Sequence, residues 1–150
     1  MDDMKPNVLF LCTHNSARSV LAEGLLRDMA GDRVNVFSAG VEPGRTNPLA
    51  VAALAEVGID ASSAVSEGVT DYIENGMVVH HLVIVCDGAA GRCPTSWPTM
   101  IEKHVWAFED PSRVEGSEEE RLAAFRATRE LIKAKLEAEL ELLTSMPGGG

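Results

Sequence analysis

The chain has 150 residues, of which 45% are hydrophobic and 24% are charged, a composition typical of one soluble globular domain. Its 13 basic and 23 acidic residues leave a net charge of −10, which disfavours nucleic acid and anionic membranes as partners. No apolar run is as long as a membrane span, and Met1, Asp2 and Asp3 do not begin a signal sequence, so we expect a cytoplasmic protein.

The first half of the chain alternates strand patterns with helix patterns. A continuous apolar run at 6–11 predicts a buried parallel strand, and apolar residues at helical spacing then continue up to Gly31. A second strand is predicted at 34–39. Asn47 followed by Pro48 is typical of a helix start, with asparagine as the cap and proline at the first position.

The second half continues the alternation. A short helix is predicted at 70–75 and a buried strand at 82–85. A loop rich in glycine and proline is predicted at 87–99, before a fourth strand at 104–108. One long helix is predicted over 118–143, with its apolar residues on a single stripe.

These elements predict a single domain over residues 1–150, with a disordered tail at 145–150. Strands that alternate with helices predict an α/β fold, in which a four-stranded parallel sheet is flanked by helices in three Rossmann-like layers. Ligands of such folds bind beyond the carboxyl ends of the strands, where the strand order reverses. We therefore expect the functional site at that edge.

The first strand leads directly into the octet C-T-H-N-S-A-R-S, residues 12–19, and a helix pattern follows at once. Backbone N–H groups of such a loop converge on an anion, and the start of the helix adds partial positive charge. Arg18 can donate two hydrogen bonds to the anion, the same field favours the thiolate form of Cys12, and Ser19 can donate to that sulfur. The octet predicts a nucleophilic cysteine rather than a small buried hydrophobic residue. The candidate substrate-binding residues are Thr13, His14, Asn15, Ser16, Ala17, Arg18 and Ser19.

A second candidate group follows the fourth strand, in the sequence Glu109-Asp110-Pro111. Because parallel strands end at the same edge of a sheet, the loop that holds Asp110 can overhang the anion site. Pro111 favours an extended backbone at Asp110, and a carboxylic acid there can protonate a departing oxygen. The alternative is that Asp110 and Pro111 only form a turn.

The three cysteines are Cys12, Cys86 and Cys93. An odd number fits a disulfide scaffold poorly, and in a reducing compartment reactive thiols are the better interpretation. The alternative for the second and third cysteines is a buried residue at a strand end and an incidental residue in a loop.

The octet, the Asp-Pro pair and the order of the elements together resemble the low-molecular-weight protein tyrosine phosphatase superfamily, from Asn7 to about Leu143. Within it, the arsenate reductases are the closer likeness. Their loop also reads T-H-N-S-A between cysteine and arginine, whereas the phosphatases carry a second cysteine where this chain has Ala17. Cys86 and Cys93, with six residues between them, are similar to the redox pair of these reductases.

The resemblance implies a relay of three thiols. Cys12 attacks arsenate, and water leaves with the help of Asp110. Cys86 then attacks the sulfur of Cys12, so that arsenite departs and a Cys12–Cys86 disulfide remains. Cys93 moves this disulfide to Cys86–Cys93 and frees Cys12. An external thiol, either thioredoxin or glutathione with glutaredoxin, reduces the final disulfide.

The resemblance also implies a potassium site that some of these reductases have. The matching positions here are Asn15, Glu23 and Ser38, while the further acidic ligand of the family, an aspartate, is replaced by Glu67. This departure weakens the prediction of a potassium ion. The histidines at 80, 81 and 104 do not show the spacing of a metal site, and we expect them to be structural or surface residues.

The leading hypothesis is thus a cytoplasmic, thioredoxin-coupled arsenate reductase, monomeric, with phosphate or sulfate as other anions that fit its loop. The alternative is a low-molecular-weight protein tyrosine phosphatase that uses Cys12, Arg18 and Asp110. Such an enzyme requires aromatic walls around its substrate, and this chain has one tyrosine and two tryptophans. A third hypothesis is an oxyanion sensor without catalytic activity.

Overall fold

The computed structural model describes residues 5–12, 17–40, 44–62, 68–86 and 99–147, with only the backbone described at Cys86. In chain order its elements are β1 (Asn7–Cys12), α1 (Arg18–Ala30), β2 (Asn35–Gly40), α2 (Pro48–Ala55), α3 (Val69–Glu74), β3 (Val79–Cys86), β4 (Met100–Phe108), a 3-10 turn (Pro111–Arg113), α4 (Glu118–Ala138) and α5 (Leu140–Leu143). In the described part of the chain, no helix is long and apolar enough to span a membrane.

All four strands are parallel and lie in the order β2-β1-β3-β4. The side chains of Val8, Leu9, Phe10 and Leu11 are fully buried although they alternate between the two faces, so the centre of the sheet is covered on both sides. The chain moves outward from β1 to β2 and then crosses to β3, so that the strand order reverses between β1 and β3. The predicted α/β fold is confirmed.

The edge strand β4 begins at Met100, earlier than the predicted start at 104. The exposed residues alternate along it, with Ile101 and Val105 about half exposed, because one face of this edge strand is open to solvent. Trp106 points to the other face, where it is buried and its ring centroid lies 6.5 Å from that of Phe10. The predicted strand was too short because Glu102 and Lys103 interrupt the apolar run in the first half of β4.

The helices follow the predicted pattern except near the C-terminus. Asn47 caps α2, since its Oδ1 accepts a hydrogen bond from the Leu49 N–H at 2.9 Å. The single helix predicted over 118–143 is wrong at Glu139, whose φ of −105° and ψ of 13° separate α4 from α5. The apolar stripe is still buried on both sides of this break, at Phe125, Ile132, Leu136 and Leu143.

The predicted tail begins with a residue that is bonded to the fold. The Ser145 carbonyl accepts a hydrogen bond from His81 Nε2 at 2.8 Å, and the Ser145 hydroxyl donates to the Glu141 carbonyl at 2.7 Å. Residues 148–150 lie outside the described part of the chain. The expectation of a disordered tail therefore does not hold at Ser145.

The start of α4 is a capping box formed by Ser117 and Glu120. The Ser117 Oγ accepts from the Glu120 N–H at 3.1 Å, and the Glu120 carboxylate accepts from the Ser117 N–H at 3.0 Å. We expect Ser117→Ala to lower the free energy of unfolding in urea by about 1 kcal/mol, because it removes the acceptor of a helix N–H group. Ser117→Asn supplies another good cap and should retain most of the stability. An equal loss in both variants would contradict the capping role.

Candidate active site

Cys12 is the last residue of β1, at the carboxyl edge of the sheet beside the point where the strand order reverses. The residue is only 3% exposed. The Cys12 sulfur lies 2.9 Å from Ser19 Oγ, and Ser19 itself is fully buried in the first turn of α1. When the sulfur is ionised it can only accept, so the serine hydroxyl is then the donor. The predicted contact between these two residues is present.

The first turn of α1 faces the same edge. Arg18 is the first helical residue, and Ala17 occupies the cap position, with φ −129° and ψ −78°. Alanine has no side-chain oxygen to accept hydrogen bonds from the first N–H groups of the helix. These groups and the helix dipole therefore suit an external anion.

Arg18 connects α1 to the end of β4. Its side chain is 7% exposed, and its Nη1 donates to the Phe108 carbonyl at 2.9 Å. Its Nη2 lies 3.5 Å from Asp110 Oδ2. The structure thus brings Arg18 and Asp110 together, as the prediction of an overhanging loop requires. Sequence analysis missed Phe108, because a backbone carbonyl that serves as an acceptor has no side-chain signature.

Asp110 has a structural and an electrostatic role at once. Its Oδ1 accepts from the Ser112 N–H at 2.9 Å and from the Ser112 hydroxyl at 2.6 Å, which caps the 3-10 turn. Burial alone would raise the pKa of Asp110, but these hydrogen bonds and the charges of Arg18 and Arg113 outweigh it, and the pKa lies below its ordinary value. The residue is therefore a carboxylate at neutral pH.

The two other cysteines differ in how far the structure describes them. Cys86 ends β3, its backbone pairs with that of Phe108, and β3 lies beside β1 with Ile84 opposite Leu11. Cys86 is therefore at the same edge of the sheet as Cys12. Cys93 lies outside the described residues, as do the predicted loop positions Thr13, His14, Asn15 and Ser16.

Two of the positions predicted for potassium are in contact. Ser38 Oγ donates to Glu23 Oε1 at 2.6 Å. The other carboxylate oxygen, Oε2, accepts from Arg27 Nη2 at 2.6 Å, and Arg27 also donates to the Val36 carbonyl at 2.7 Å. The positive partner of Glu23 among the described residues is thus a guanidinium, which fits a potassium ion at this carboxylate poorly. The other two predicted ligands, Asn15 and Glu67, lie outside the described residues.

Comparison with known proteins places this geometry in a family. The model of the low molecular weight phosphotyrosine protein phosphatases matches residues 7–146 of the 150. The chain belongs to this family. The resemblance to this family that the sequence predicted is confirmed, together with the α/β fold that it implies.

The similar proteins in this family include arsenate reductases. An arsenate reductase of Bacillus subtilis is 42% identical over 130 residues, which cover 86% of this chain and 91% of the relative. A solved arsenate reductase in its reduced state gives a TM-score of 0.74 at 29% identity, over 92% of this chain and 98% of the other. A thioredoxin-dependent arsenate reductase of Corynebacterium glutamicum gives 0.71 at 26% identity, over 95% of this chain and 64% of that protein.

Proposed function

We propose that this family member reduces arsenate to arsenite, with Cys12 as the nucleophile and with Cys86 and Cys93 as a redox pair. The observation that carries the proposal is the contact of the Cys12 sulfur with Ser19 Oγ at 2.9 Å, at the start of the helix that also carries Arg18. We infer that the substrate is arsenate because the chain is 42% identical to an arsenate reductase. Phosphate and sulfate have a similar tetrahedral shape, and we expect them to bind in the loop without being reduced.

The first step is the attack of the Cys12 thiolate on arsenate. A sulfur–arsenic bond forms, an arsenic–oxygen bond breaks, and the oxygen leaves as water after it has been protonated. Arg18 and the backbone N–H groups of the loop hold the remaining oxygens. Asp110 supplies a proton, because the negative charge of the bound arsenate raises its pKa and opposes the lowering by Ser112, Arg18 and Arg113.

The second step passes two electrons to arsenic. The Cys86 thiolate attacks the Cys12 sulfur, the electrons of the sulfur–arsenic bond remain on arsenic, and arsenite leaves. Cys86 lies on the strand next to that of Cys12, one residue beyond the position opposite Cys12 in the ladder, and this closeness at one edge of the sheet supports the step, since a disulfide requires Cα atoms within about 4.4–6.8 Å. Cys93 then attacks Cys86 and frees Cys12.

The reductant that closes the cycle is an external dithiol. We favour thioredoxin, because one of the similar structures is named as thioredoxin-dependent. Glutathione with glutaredoxin is the alternative. Either reductant and the relay itself need reduced thiols, so we propose that the chain works in the cytoplasm. None of the proposed steps requires a potassium ion, and Glu23, one of its predicted ligands, is paired with Arg27.

The alternative activity is hydrolysis of phosphotyrosine, which would use Cys12, Arg18 and Asp110 but neither of the other two cysteines. The name of the family supports it. The names of the more similar relatives favour the reductase.

The proposal is tested by measuring arsenite production by the purified chain. We expect multiple turnovers with thioredoxin and thioredoxin reductase, few or none with glutaredoxin and glutathione, and only weak hydrolysis of p-nitrophenyl phosphate. If neither reductant supports arsenite production while p-nitrophenyl phosphate is hydrolysed rapidly, the chain is a phosphatase. If only glutaredoxin supports it, the reductase stands and thioredoxin is wrong.

The role of Asp110 is tested by the variant Asp110→Asn. Because an amide cannot donate a carboxylic proton, we expect arsenite release in a single turnover to slow by about 10²-fold, the lower range for a general acid. The rate of the unchanged chain should fall as pH rises above the pKa of Asp110 in the arsenate complex, and the variant should lose this dependence. Glu109→Gln, at the exposed neighbouring residue, is the matched control. Unchanged kinetics in Asp110→Asn would exclude Asp110 as the acid.

A further inference from the structure

A second group of ionisable side chains lies on β3 and β4, away from Cys12. His81 Nδ1 is 3.1 Å from His104 Nε2, and Glu102 Oε1 is 3.8 Å from the same His104 nitrogen. All three ligand atoms lie within 4.8 Å of one another. His81 precedes Cys86 by five residues, which is roughly 16 Å along a strand. This cluster is therefore separate from the candidate active site.

The register of the two strands creates the cluster. His81 is paired with Glu102 in the parallel ladder, and Val83 is paired with His104. Residues two apart on a strand point to the same face, so His81, Glu102 and His104 share one face of the sheet. The side chains meet across strands that are distant in sequence, which is why the spacing of the histidines along the chain does not reveal them.

The hydrogen bonds of His81 prepare it to act as a ligand. Its Nε2 lies 2.8 Å from the Ser145 carbonyl, which can only accept, so this nitrogen carries the proton. In the neutral ring, Nδ1 therefore offers its lone pair towards His104. A histidine that binds a metal commonly donates its other N–H to a backbone carbonyl in this way, which fixes its tautomer and orientation. His81 is fully buried, so this orientation is held by packing as well.

We propose that His81, Glu102 and His104 bind one Zn²⁺ ion. Zinc bonds to nitrogen are about 2.0–2.1 Å long, so two nitrogens of a tetrahedral site lie about 3.3 Å apart. The observed 3.1 Å between the imidazoles matches this, and Glu102, with a side chain 40% exposed, is free to turn the short remaining distance. His104 is 15% exposed, so the ion enters from solvent and a water molecule completes the four ligands. The ion would tie β3, β4 and the C-terminal segment together.

The binding test must separate this site from the thiols, which also bind zinc. We would titrate Zn²⁺ into the full chain with Cys12, Cys86 and Cys93 all replaced by serine, and measure the stoichiometry by calorimetry. We expect one equivalent to bind. The melting temperature should rise by roughly 5–10 °C when free zinc exceeds its Kd a hundredfold. Because this thiol-free chain cannot run the relay, the outcome is independent of arsenate reduction.

Variants in the same background identify the ligands. Loss of an outer-shell partner typically weakens metal binding 10–100-fold, so we expect His104→Asn and Glu102→Gln, which remove a direct ligand, to weaken it by about 100-fold or more. His80→Asn is the matched control, because His80 lies on the opposite face of β3. If His104→Asn does not fold, the zinc affinity of Glu102→Gln still tests the site, because the Glu102 side chain is 40% exposed and its replacement should not prevent folding.

Two results would overturn the proposal. One is the absence of a bound zinc equivalent in the folded thiol-free chain. The other is zinc binding that neither Glu102→Gln nor a folded His104→Asn weakens. In both cases the cluster would be a hydrogen-bonded imidazole pair that only holds Ser145.

Discussion

Cys12→Ser is expected to abolish arsenate reduction and to lower kcat/KM by roughly 10⁴-fold or more, the scale seen when a covalent nucleophile is removed. A serine hydroxyl stays protonated at neutral pH, so it does not form the adduct with arsenic. It also lacks the sulfur that Cys86 must attack, so no electrons reach the arsenic. Arsenite release should be measured in a single turnover, without any reductant, so that only the first two steps contribute.

The control for this variant is anion binding. A serine at position 12 still has an oxygen that can hydrogen-bond to Ser19 in the first turn of α1, so arsenate should bind to Cys12→Ser with a Kd close to that of the unchanged chain. If arsenite release persisted at the normal rate, another residue would be the nucleophile. If anion binding were lost as well, the variant would report on the shape of the loop instead of on the chemistry.

Cys93→Ser is expected to release one arsenite per chain and then stop. In the proposed relay the third thiol acts after arsenite has left, so its loss spares the first turnover and leaves the Cys12–Cys86 disulfide in place. The burst amplitude should be one, and mass spectrometry after proteolysis should find that disulfide. The number of turnovers per chain should therefore fall from many to one.

Cys86→Ser is the matched control, because it removes the thiol that acts one step earlier. This variant should give no arsenite burst, although Cys12 remains intact. The difference between the two serine variants separates electron transfer from disulfide exchange. Normal cycling of Cys93→Ser with thioredoxin would contradict the relay of three thiols.

Much of the fold was predictable because its central strands are buried on both faces. Residues such as Leu9 and Phe10 therefore form continuous apolar runs that are easy to find in a sequence. The edge strand β4 alternates instead, and its charged residues Glu102 and Lys103 hid its first half. The break at Glu139 has no glycine or proline to mark it, so an apolar stripe predicted one uninterrupted helix.

The candidate site was predictable where its residues are close in sequence. Cys12 ends β1 and Ser19 lies in the first turn of α1, and the contact between them was expected from the octet. The contact of Arg18 with the Phe108 carbonyl depends on how β4 ends, and the pairing of Glu23 with Arg27 competes with the ion that a family resemblance suggests. The cluster of His81 with His104 depends on strand register, which a single sequence does not specify.

The position of Trp106 has a practical consequence for observing the enzyme at work. The indole is buried on β4, two residues before Phe108. The Phe108 carbonyl accepts a hydrogen bond from Arg18, and the Phe108 backbone pairs with that of Cys86 at the end of β3. The chain has two tryptophans, so Trp97→Phe leaves Trp106 as the sole indole fluorophore. Stopped-flow emission from that indole then tests, without an added label, whether the environment of this edge of the sheet changes during turnover.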